Sequence, residues 1–189
     1  MTPEIIIERC LDEGVDVIAI TDHNETSGAV ELLRKALMRV IVGEEIRCAE
    51  GGAIIGLFLE QTIRNGLPAK SVMAEIRSQG GLVYLPHPFD VLRSARWPSD
   101  VLAEILPRTD ILETFNARTL LPAANARAAA AAQRLGMVTC AGADAHLPSE
   151  LGRTYVLLPP WNAPTELLES LRRAHAHCER TPLWARAAT

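Results

Sequence analysis

Short apolar runs alternate with amphipathic segments along the chain, and this alternation predicts strands separated by helices. Strands are expected at 15–21, 40–42, 53–59, 82–85, 111–115, 137–140 and 154–158. Helices are expected at 3–14, 26–38, 68–79, 99–106, 123–135 and 164–177. The second helix should turn Val30, Leu33 and Leu37 inward.

This order of elements predicts an α/β fold in which helices cover a mostly parallel sheet, either open or curled into a barrel. Gly51-Gly52 interrupts the rhythm, because it predicts a glycine turn that pairs 53–59 with the segment around Ile46. No stretch is rich enough in Pro, Gly or Ser to act as a linker. The sequence therefore predicts one domain over residues 1–189.

The amino-acid composition is typical of a compact domain that contacts neither nucleic-acid duplexes nor membranes. The chain has 189 residues, 48% of them hydrophobic, which suits a compact soluble domain. A net charge of −4 and an aromatic content of 4% argue against a surface for duplex DNA or RNA. The four cysteines lack Cys-x-x-Cys spacing, and no signal peptide or membrane span is evident. These features favour reduced thiols in a cytoplasmic protein without membrane contact.

Metal-ligand residue types recur just after the predicted strands. Three of the five histidines, His23, His87 and His146, stand at such positions. Carboxylates occupy comparable places, namely Asp22, Glu45, Glu113 and Asp144. Clustered carboxylates would repel one another unless cations relieved them, and a mixed nitrogen and oxygen set suits zinc, manganese or iron. The sequence thus predicts a metal site at the carboxyl ends of the strands.

Each of these residues also has a simpler interpretation. Asp22 and His23 could form a turn or cap a helix, and His87 could be an ordinary loop residue between two prolines. Glu45 could pair with Glu44 as a solvated acidic patch, and Asp144 could cap a turn. It is the recurrence at four separate strand ends that favours the metal site.

Five short motifs occur in the order that the PHP (polymerase and histidinol phosphatase) family has them. They are Ile20-Thr21-Asp22-His23-Asn24, Gly43-Glu44-Glu45-Ile46, Pro86-His87-Pro88, Glu113-Thr114-Phe115-Asn116-Ala117-Arg118 and Gly142-Ala143-Asp144-Ala145-His146. Over nearly its whole length the chain resembles a stand-alone PHP phosphoesterase. The resemblance implies a distorted (β/α)7 barrel whose rim binds up to three divalent ions (Mn, Zn or Fe) and hydrolyses phosphate esters.

The resemblance also implies roles for single residues. Asp22-His23, Glu45, His87, Asp144 and His146 match catalytic metal ligands, with Glu45, rather than Glu44, bridging two ions. Glu113 and Asn116 match a less uniform motif of ligands or nearby polar groups. The implied mechanism is in-line attack of a metal-bound hydroxide on phosphorus. Four arginines that follow the motifs are candidates to hold the phosphate: Arg93, Arg96, Arg118 and Arg153.

One family feature is missing. PHP proteins begin with a strand bearing a His-x-His pair, and nothing of the kind precedes Met1. His175-x-His177 should not replace it, because we expect a helix there, on which positions i and i+2 diverge. The sequence therefore predicts a barrel incomplete at its first strand, fewer bound ions, impaired catalysis and self-association through the open edge.

Three classes of function follow. The first is a metal-dependent phosphoesterase acting on a small phosphorylated molecule, a nucleotide or a nucleic-acid end. The second is an amidohydrolase-type metal hydrolase, for which a metal-bridging lysine near a strand end is expected; Lys35 and Lys70 fall in predicted helices instead. The third is a non-catalytic remnant that serves as a binding or structural module.

Overall fold

The computed structural model describes residues 1–186, in which six strands form one sheet in chain order. These strands are β1 (Val17–Ile20), β2 (Arg39–Arg47), β3 (Ala53–Leu57), β4 (Leu82–Leu85), β5 (Ile111–Asn116) and β6 (Val138–Gly142). Two short strands, β7 (Tyr155–Leu157) and β8 (His175–His177), pair with each other in a separate antiparallel ribbon. The strands predicted from apolar runs are therefore all present.

The direction of the strands places five carboxyl ends on one rim. β1 pairs with β2 in parallel, and β4, β5 and β6 pair in parallel in that order. Only β3 is reversed, because it forms antiparallel pairs with both β2 and β4. The sheet curls into a half-barrel with β1 and β6 as its outer strands, which confirms the predicted α/β class. We call the edge where β1, β2, β4, β5 and β6 end the rim.

Helices connect the strands and cover both faces of the sheet. They are α1 (Pro3–Asp12), α2 (Ser27–Lys35), α3 (Ala69–Ser78), α4 (Ser99–Ile105), α5 (Pro122–Leu135), α6 (Pro164–Leu171) and α7 (Leu183–Arg186). Neighbouring residues on β5 show the two covered faces, because Ile111 packs in one buried cluster with Leu171 and Leu112 packs in another with Ile76. Burial on both sides explains why the strands are almost continuously apolar.

The predicted inward face of α2 is wrong at Leu33 and Leu37, whereas Val30 is half-buried. Ala29 and Leu32 are buried, whereas Leu33 is 48% exposed. Leu37 lies beyond the end of the helix at Lys35 and is 95% exposed. The small side chain of Ala29 allows a close approach to the sheet. The buried residues of α2 therefore stand one position before the predicted ones, Ala29 instead of Val30 and Leu32 instead of Leu33.

The predicted helix at 164–177 ends at Leu171, and the histidine pair lies on a strand instead. In β8, His175 stands opposite Leu157 and His177 opposite Tyr155. Positions i and i+2 of a strand share one face, so the expectation that the two histidines diverge was wrong. The reason is long-range pairing with β7, which local periodicity does not reveal.

The remaining general expectations concern thiols and membranes. All four cysteines are free thiols, two of them, Cys10 and Cys48, buried. Burial raises the pKa of Cys48 to about 12, so this thiol stays protonated. Among residues 1–186, no helix combines the length and the apolar character needed to cross a membrane.

Candidate metal centre

Six of the seven predicted metal ligands lie along the rim, within or just after its strands. His23 follows β1, and Glu45 lies near the end of β2, a strand that runs further than the sequence predicted. His87 follows β4, and Glu113 lies within β5. Asp144 and His146 follow β6. The parallel strands therefore gather residues that are far apart in sequence.

His23 is held beside Glu45 by an extension of the β1–β2 pairing. The two residues form a parallel bridge past the end of β1. Glu45 donates its N–H to the Asp22 carbonyl at 3.0 Å, and Asn24 donates to the Glu45 carbonyl at 3.0 Å. This backbone pairing leaves His23 Nδ1 3.9 Å from Glu45 Oε2.

His87 faces the other oxygen of the same carboxylate. Its Nε2 lies 3.5 Å from Glu45 Oε1, is buried, and makes no well-formed hydrogen bond among the described residues. Burial by itself would lower the pKa of His87, but Glu45 and Glu113 outweigh it and the pKa is raised. His87 also has a φ of +29°, which an L-residue adopts only where surrounding contacts enforce it. The Glu45 carboxylate thus lies between two imidazoles, one per oxygen.

Glu113 fixes the position of His87 by a hydrogen bond to its backbone N–H. Its Oε2 accepts hydrogen bonds from the His87 N–H at 2.6 Å and from Asn116 Nδ2 at 3.0 Å. Its Oε1 accepts a hydrogen bond from the Tyr84 hydroxyl at 2.9 Å. Burial raises the pKa of Glu113, and burial together with this carboxylate raises the pKa of Tyr84 well above its usual value. Both oxygens of Glu113 are therefore already engaged in positioning the rim.

Asp144 is paired with a cation from the loop after β4. Arg93 Nη2 forms an ion pair with Asp144 Oδ2 and lies 3.2 Å from Asn116 Oδ1, while its Nε lies 3.5 Å from Asp90 Oδ2. Burial would raise the pKa of Asp144, but Arg93 holds it below its usual value. His146 Nδ1 lies 2.8 Å from the Asp144 carbonyl oxygen. Asp144 also has a positive φ, +50°.

The Asp22 carboxylate lies beside the start of α2. A Cβ added to Gly28 would lie 2.4 Å from Asp22 Oδ2, so this carboxylate packs against the first turn of α2. A negative charge is favourable at a helix N-terminus. The structure therefore places Asp22 where its alternative interpretation, support of a helix start, applies.

The four candidate arginines separate in space. Arg93 is in the cluster, and Arg118 pairs with the buried Glu150 at 2.6 Å. Arg96 is exposed, with Nη1 3.4 Å from the Val91 carbonyl. Arg153 forms an ion pair with Glu179, beside β7. Only Arg93 and Arg118 are therefore bonded within or next to the rim motifs.

Sequence reasoning missed several polar residues that support the rim. Tyr84 and Asp90 were hidden in or beside an apolar strand, although a hydroxyl within such a run was a usable signal. Glu150 had no signal, yet its Oε2 accepts the N–H groups of His146 and Leu147 at 2.7 and 2.9 Å. These contacts fix the loop that carries the last motif.

Known proteins resemble this chain in sequence and in fold. A sequence family described as PHP-associated matches residues 122–175. An uncharacterised protein of Methanocaldococcus jannaschii is 31% identical in an alignment of 183 positions that covers 91% of this chain and 73% of that protein. The chain belongs to the PHP family. Its membership rests on this relative and this match together with the fold.

Two solved structures share this fold at low sequence identity. One is a two-domain protein of Bacteroides vulgatus that contains a predicted PHP-like metal-dependent phosphoesterase; it has a TM-score of 0.71 and 17% identity over 94% of this chain and 60% of that one. The other, of Bifidobacterium adolescentis, is proposed to be a metal-dependent phosphoesterase; it has a TM-score of 0.63 and 16% identity over 97% and 92% of the two chains. The present chain spans less than two thirds of the Bacteroides protein.

The rim of this PHP protein has two parts. His23, Glu45 and His87 offer donors for a divalent metal, whereas Asp144 is paired with the Arg93 guanidinium. No three His, Cys, Asp or Glu side chains within residues 1–186 already converge as a ligand group. Glu45 nevertheless offers one oxygen to each of two imidazoles, and the buried Nε2 of His87 lacks a hydrogen-bond partner among the described residues. Ligands of one zinc ion lie roughly 3.3 Å apart, close to the 3.5 Å between His87 and Glu45. The donor set is therefore of a kind that can hold a divalent metal ion.

Gly142 is required because Glu113 packs directly on its Cα. A Cβ at this position would lie 1.9 Å from Glu113 Oε1 and 3.4 Å from the Tyr84 hydroxyl. We expect Gly142→Ala to reduce stability by about 1–3 kcal/mol and the melting temperature by roughly 3–10 °C, measured by thermal unfolding. In the background of Glu113→Asp, whose side chain is shorter, Gly142→Ala should reduce the stability less than it does in the wild type. Strictly additive losses in the double variant would contradict this explanation.

Proposed function

We propose that the protein is a divalent-metal-dependent phosphoesterase that hydrolyses the phosphate monoester of a small molecule, a nucleotide or a nucleic-acid end. The observation that carries the proposal is the Glu45 carboxylate between His23 and His87, with a buried ring nitrogen of His87 lacking a protein hydrogen-bond partner. A structural histidine would normally satisfy such a nitrogen by hydrogen bonding. Membership of the PHP family supports the same reaction class.

His23, Glu45 and His87 would hold metal on one side of the rim, and Asp144 with His146 would hold it on the other. A divalent ion, when bound, activates water and neutralises charge that develops on the phosphoryl oxygens. Asp22 would take part only if its carboxylate left the start of α2.

The chain's own residues position the substrate and support the ligands. Glu113 orients His87 through the backbone N–H at 2.6 Å, and Tyr84 and Asn116 orient Glu113 in turn. The Arg93 guanidinium, now bonded to Asp144 and Asn116, presents the planar donor fork that suits a phosphate. We assign Arg93 to the substrate phosphate, for which its guanidinium would exchange the ion pair with Asp144.

The amidohydrolase alternative lacks its expected lysine at the rim. Lys35 lies at the end of α2, where it bonds Glu4 and Glu31 at 2.8 and 2.7 Å. Lys70 lies on α3 and pairs with Glu104. Both lysines of the sequence are therefore committed to helix surfaces away from the rim.

The proposal is tested by assaying p-nitrophenyl phosphate and nucleoside monophosphates after removal of metal by a chelator and addition of Mn²⁺, Zn²⁺ or Fe²⁺. We expect hydrolysis only with added metal, and a drop of roughly 100-fold or more for His87→Ala. His177→Ala is the matched control, because His177 is an exposed histidine on the separate β7–β8 ribbon. The control should keep wild-type activity.

Two results would contradict the phosphoesterase proposal. Tight metal binding without turnover of any ester would support a binding module instead. Equal activity with and without metal, or equal losses in His87→Ala and His177→Ala, would remove the role assigned to this cluster. Elemental analysis shows whether an inactive sample contains metal, and so distinguishes a metal-binding module from a protein that was never loaded with metal.

A further inference from the structure

A buried carboxylate, Glu150, holds the loop that follows β6. Its Oε2 accepts hydrogen bonds from the N–H groups of His146 at 2.7 Å and Leu147 at 2.9 Å, and its own N–H donates to the Leu147 carbonyl at 3.0 Å. The Glu150 side chain is 1% exposed, whereas the His146 side chain is 43% exposed. An imidazole that faces solvent is therefore carried by a backbone that is fixed from inside the protein.

The backbone that carries Asp144 and His146 has an unfavourable conformation. Asp144 has a φ of +50°, which an L-residue keeps only where surrounding contacts enforce it. Its carbonyl oxygen lies 2.8 Å from His146 Nδ1, so the turn brings the imidazole back onto the Asp144 backbone. The hydrogen bonds to Glu150 come directly after this turn, where they oppose its relaxation.

Glu150 also connects this loop with the loop that follows β5. Its Oε1 accepts a hydrogen bond from Arg118 Nη1 at 2.6 Å. Asn116, two residues before Arg118, donates from Nδ2 to Asp144 Oδ2 at 3.2 Å. The two loops are thus joined at two points, once at the carboxylate of Asp144 and once at the backbone of His146.

Capping of the short 3-10 helix at Pro148–Glu150 is the competing explanation for these contacts. An exposed carboxylate is sufficient for a cap, as at the start of α6, where Glu166 Oε2 accepts the Asn162 N–H at 2.8 Å. Burial of a carboxylate costs free energy that an exposed cap avoids, unless both oxygens are well bonded. The burial of Glu150 with both oxygens bonded is therefore better explained by the connection of the two loops.

We propose that Glu150 is a positioning residue for metal binding: it fixes the backbone of His146, so that Asp144 and His146 are held in place before an ion binds. The inference rests on the proposed function, which assigns these two residues to one side of the metal centre. A loop that is already ordered loses less conformational entropy on binding, so its affinity for metal is higher. Partners that orient a ligand raise metal affinity although they do not touch the ion.

The test compares three replacements of Glu150 that keep different properties. Glu150→Gln keeps the length of the side chain and a carbonyl acceptor, Glu150→Asp keeps the charge but is one methylene shorter, and Glu150→Met removes both acceptors. We expect the calorimetric affinity for Mn²⁺ to fall about 10-fold in Glu150→Asp and Glu150→Met, and by less than about 3-fold in Glu150→Gln. In the metal-free protein, NMR should show faster hydrogen exchange at the His146 and Leu147 amides in Glu150→Asp and Glu150→Met.

Two control variants separate positioning from general stability. Val72→Ala shortens a fully buried side chain of α3, so it should lower the melting temperature without changing the affinity for Mn²⁺. Glu166→Gln changes a carboxylate that also accepts a backbone N–H, but at the end of the sheet opposite the rim, where Arg39 at the start of β2 bonds the Trp161 carbonyl. It should change neither the affinity nor the exchange at residues 146 and 147.

Failure of this inference and failure of the phosphoesterase proposal give different results. The inference is overturned if Glu150→Asp binds Mn²⁺ as tightly as Val72→Ala does, or if its amides at 146 and 147 exchange no faster than those of the wild type. Loss of stability alone would leave Glu150 a cap. If the wild type binds Mn²⁺ but hydrolyses no ester, the phosphoesterase proposal fails, and the affinities and exchange rates still decide the role of Glu150. Should Glu150→Met not fold, the contrast between Glu150→Asp and Glu150→Gln gives the answer.

Discussion

Glu45→Gln is expected to lower kcat/KM for a phosphate monoester by about 100- to 1000-fold, because it removes the charge shared by His23 and His87. The amide is nearly the same size, so the fold should persist. One of its two polar atoms becomes a donor, which cannot bind metal. The measurements are steady-state kinetics at saturating Mn²⁺ or Zn²⁺ and metal content by elemental analysis.

Glu44→Gln is the matched control for this prediction. Glu44 is adjacent in sequence but lies on the opposite face of β2, fully buried, where its Oε2 accepts the Ile63 N–H at 2.8 Å. Burial raises the pKa of Glu44, and a glutamine carbonyl can accept the same hydrogen bond. This variant should keep its metal content and activity. A loss as large as that of Glu45→Gln would refute the assignment of the two faces.

Arg93→Met is expected to destabilise the metal-free protein by about 2–3 kcal/mol, because Asp144 would stay largely buried without its cation. We place the cost below that of a fully buried pair, since a quarter of the Arg93 side chain is exposed. For a chain of this size the melting temperature should fall by roughly 5–10 °C. Added divalent metal should restore more stability to the variant than to the wild type, since metal can replace the missing charge at Asp144.

The comparison uses thermal unfolding with and without metal, and Arg96→Met as control. Arg96 is an exposed arginine three residues further along the same loop. Its replacement should change neither the melting temperature nor the response to metal. If metal stabilises Arg93→Met and the wild type by the same amount, Arg93 and the metal do not compete for Asp144.

Much of the rim was predictable because parallel strands impose a simple rule. Apolar runs identify the strands, and ligands gather where parallel strands end. That rule predicted one rim for His87, Asp144 and His146, and these residues follow β4 and β6 on the same edge of the sheet, although 57 residues separate His87 from Asp144 in the sequence. Glu45 was predicted to follow its strand but lies inside β2, because pairing with β3 continues to Arg47.

Other features depended on contacts that no local pattern records. The Asp22 carboxylate turns toward Gly28 because α2 begins there, and Arg93 reaches Asp144 from a loop 51 residues earlier. The buried face of α2 follows Ala29 rather than Leu33, since close approach to the sheet favours a small residue. Each outcome was decided by which neighbouring element packs nearest.

The sequence by itself determined where the strands lie, most of the residues at the rim and the family, because these depend on short-range periodicity and on motifs read in order. The tertiary structure decided which carboxylate faces the histidines and which cation neutralises Asp144. Those choices depend on side-chain direction and on pairings between distant segments. They are fixed only when the sheet curls and its helices pack, so their energies cannot be assigned to any local stretch of sequence.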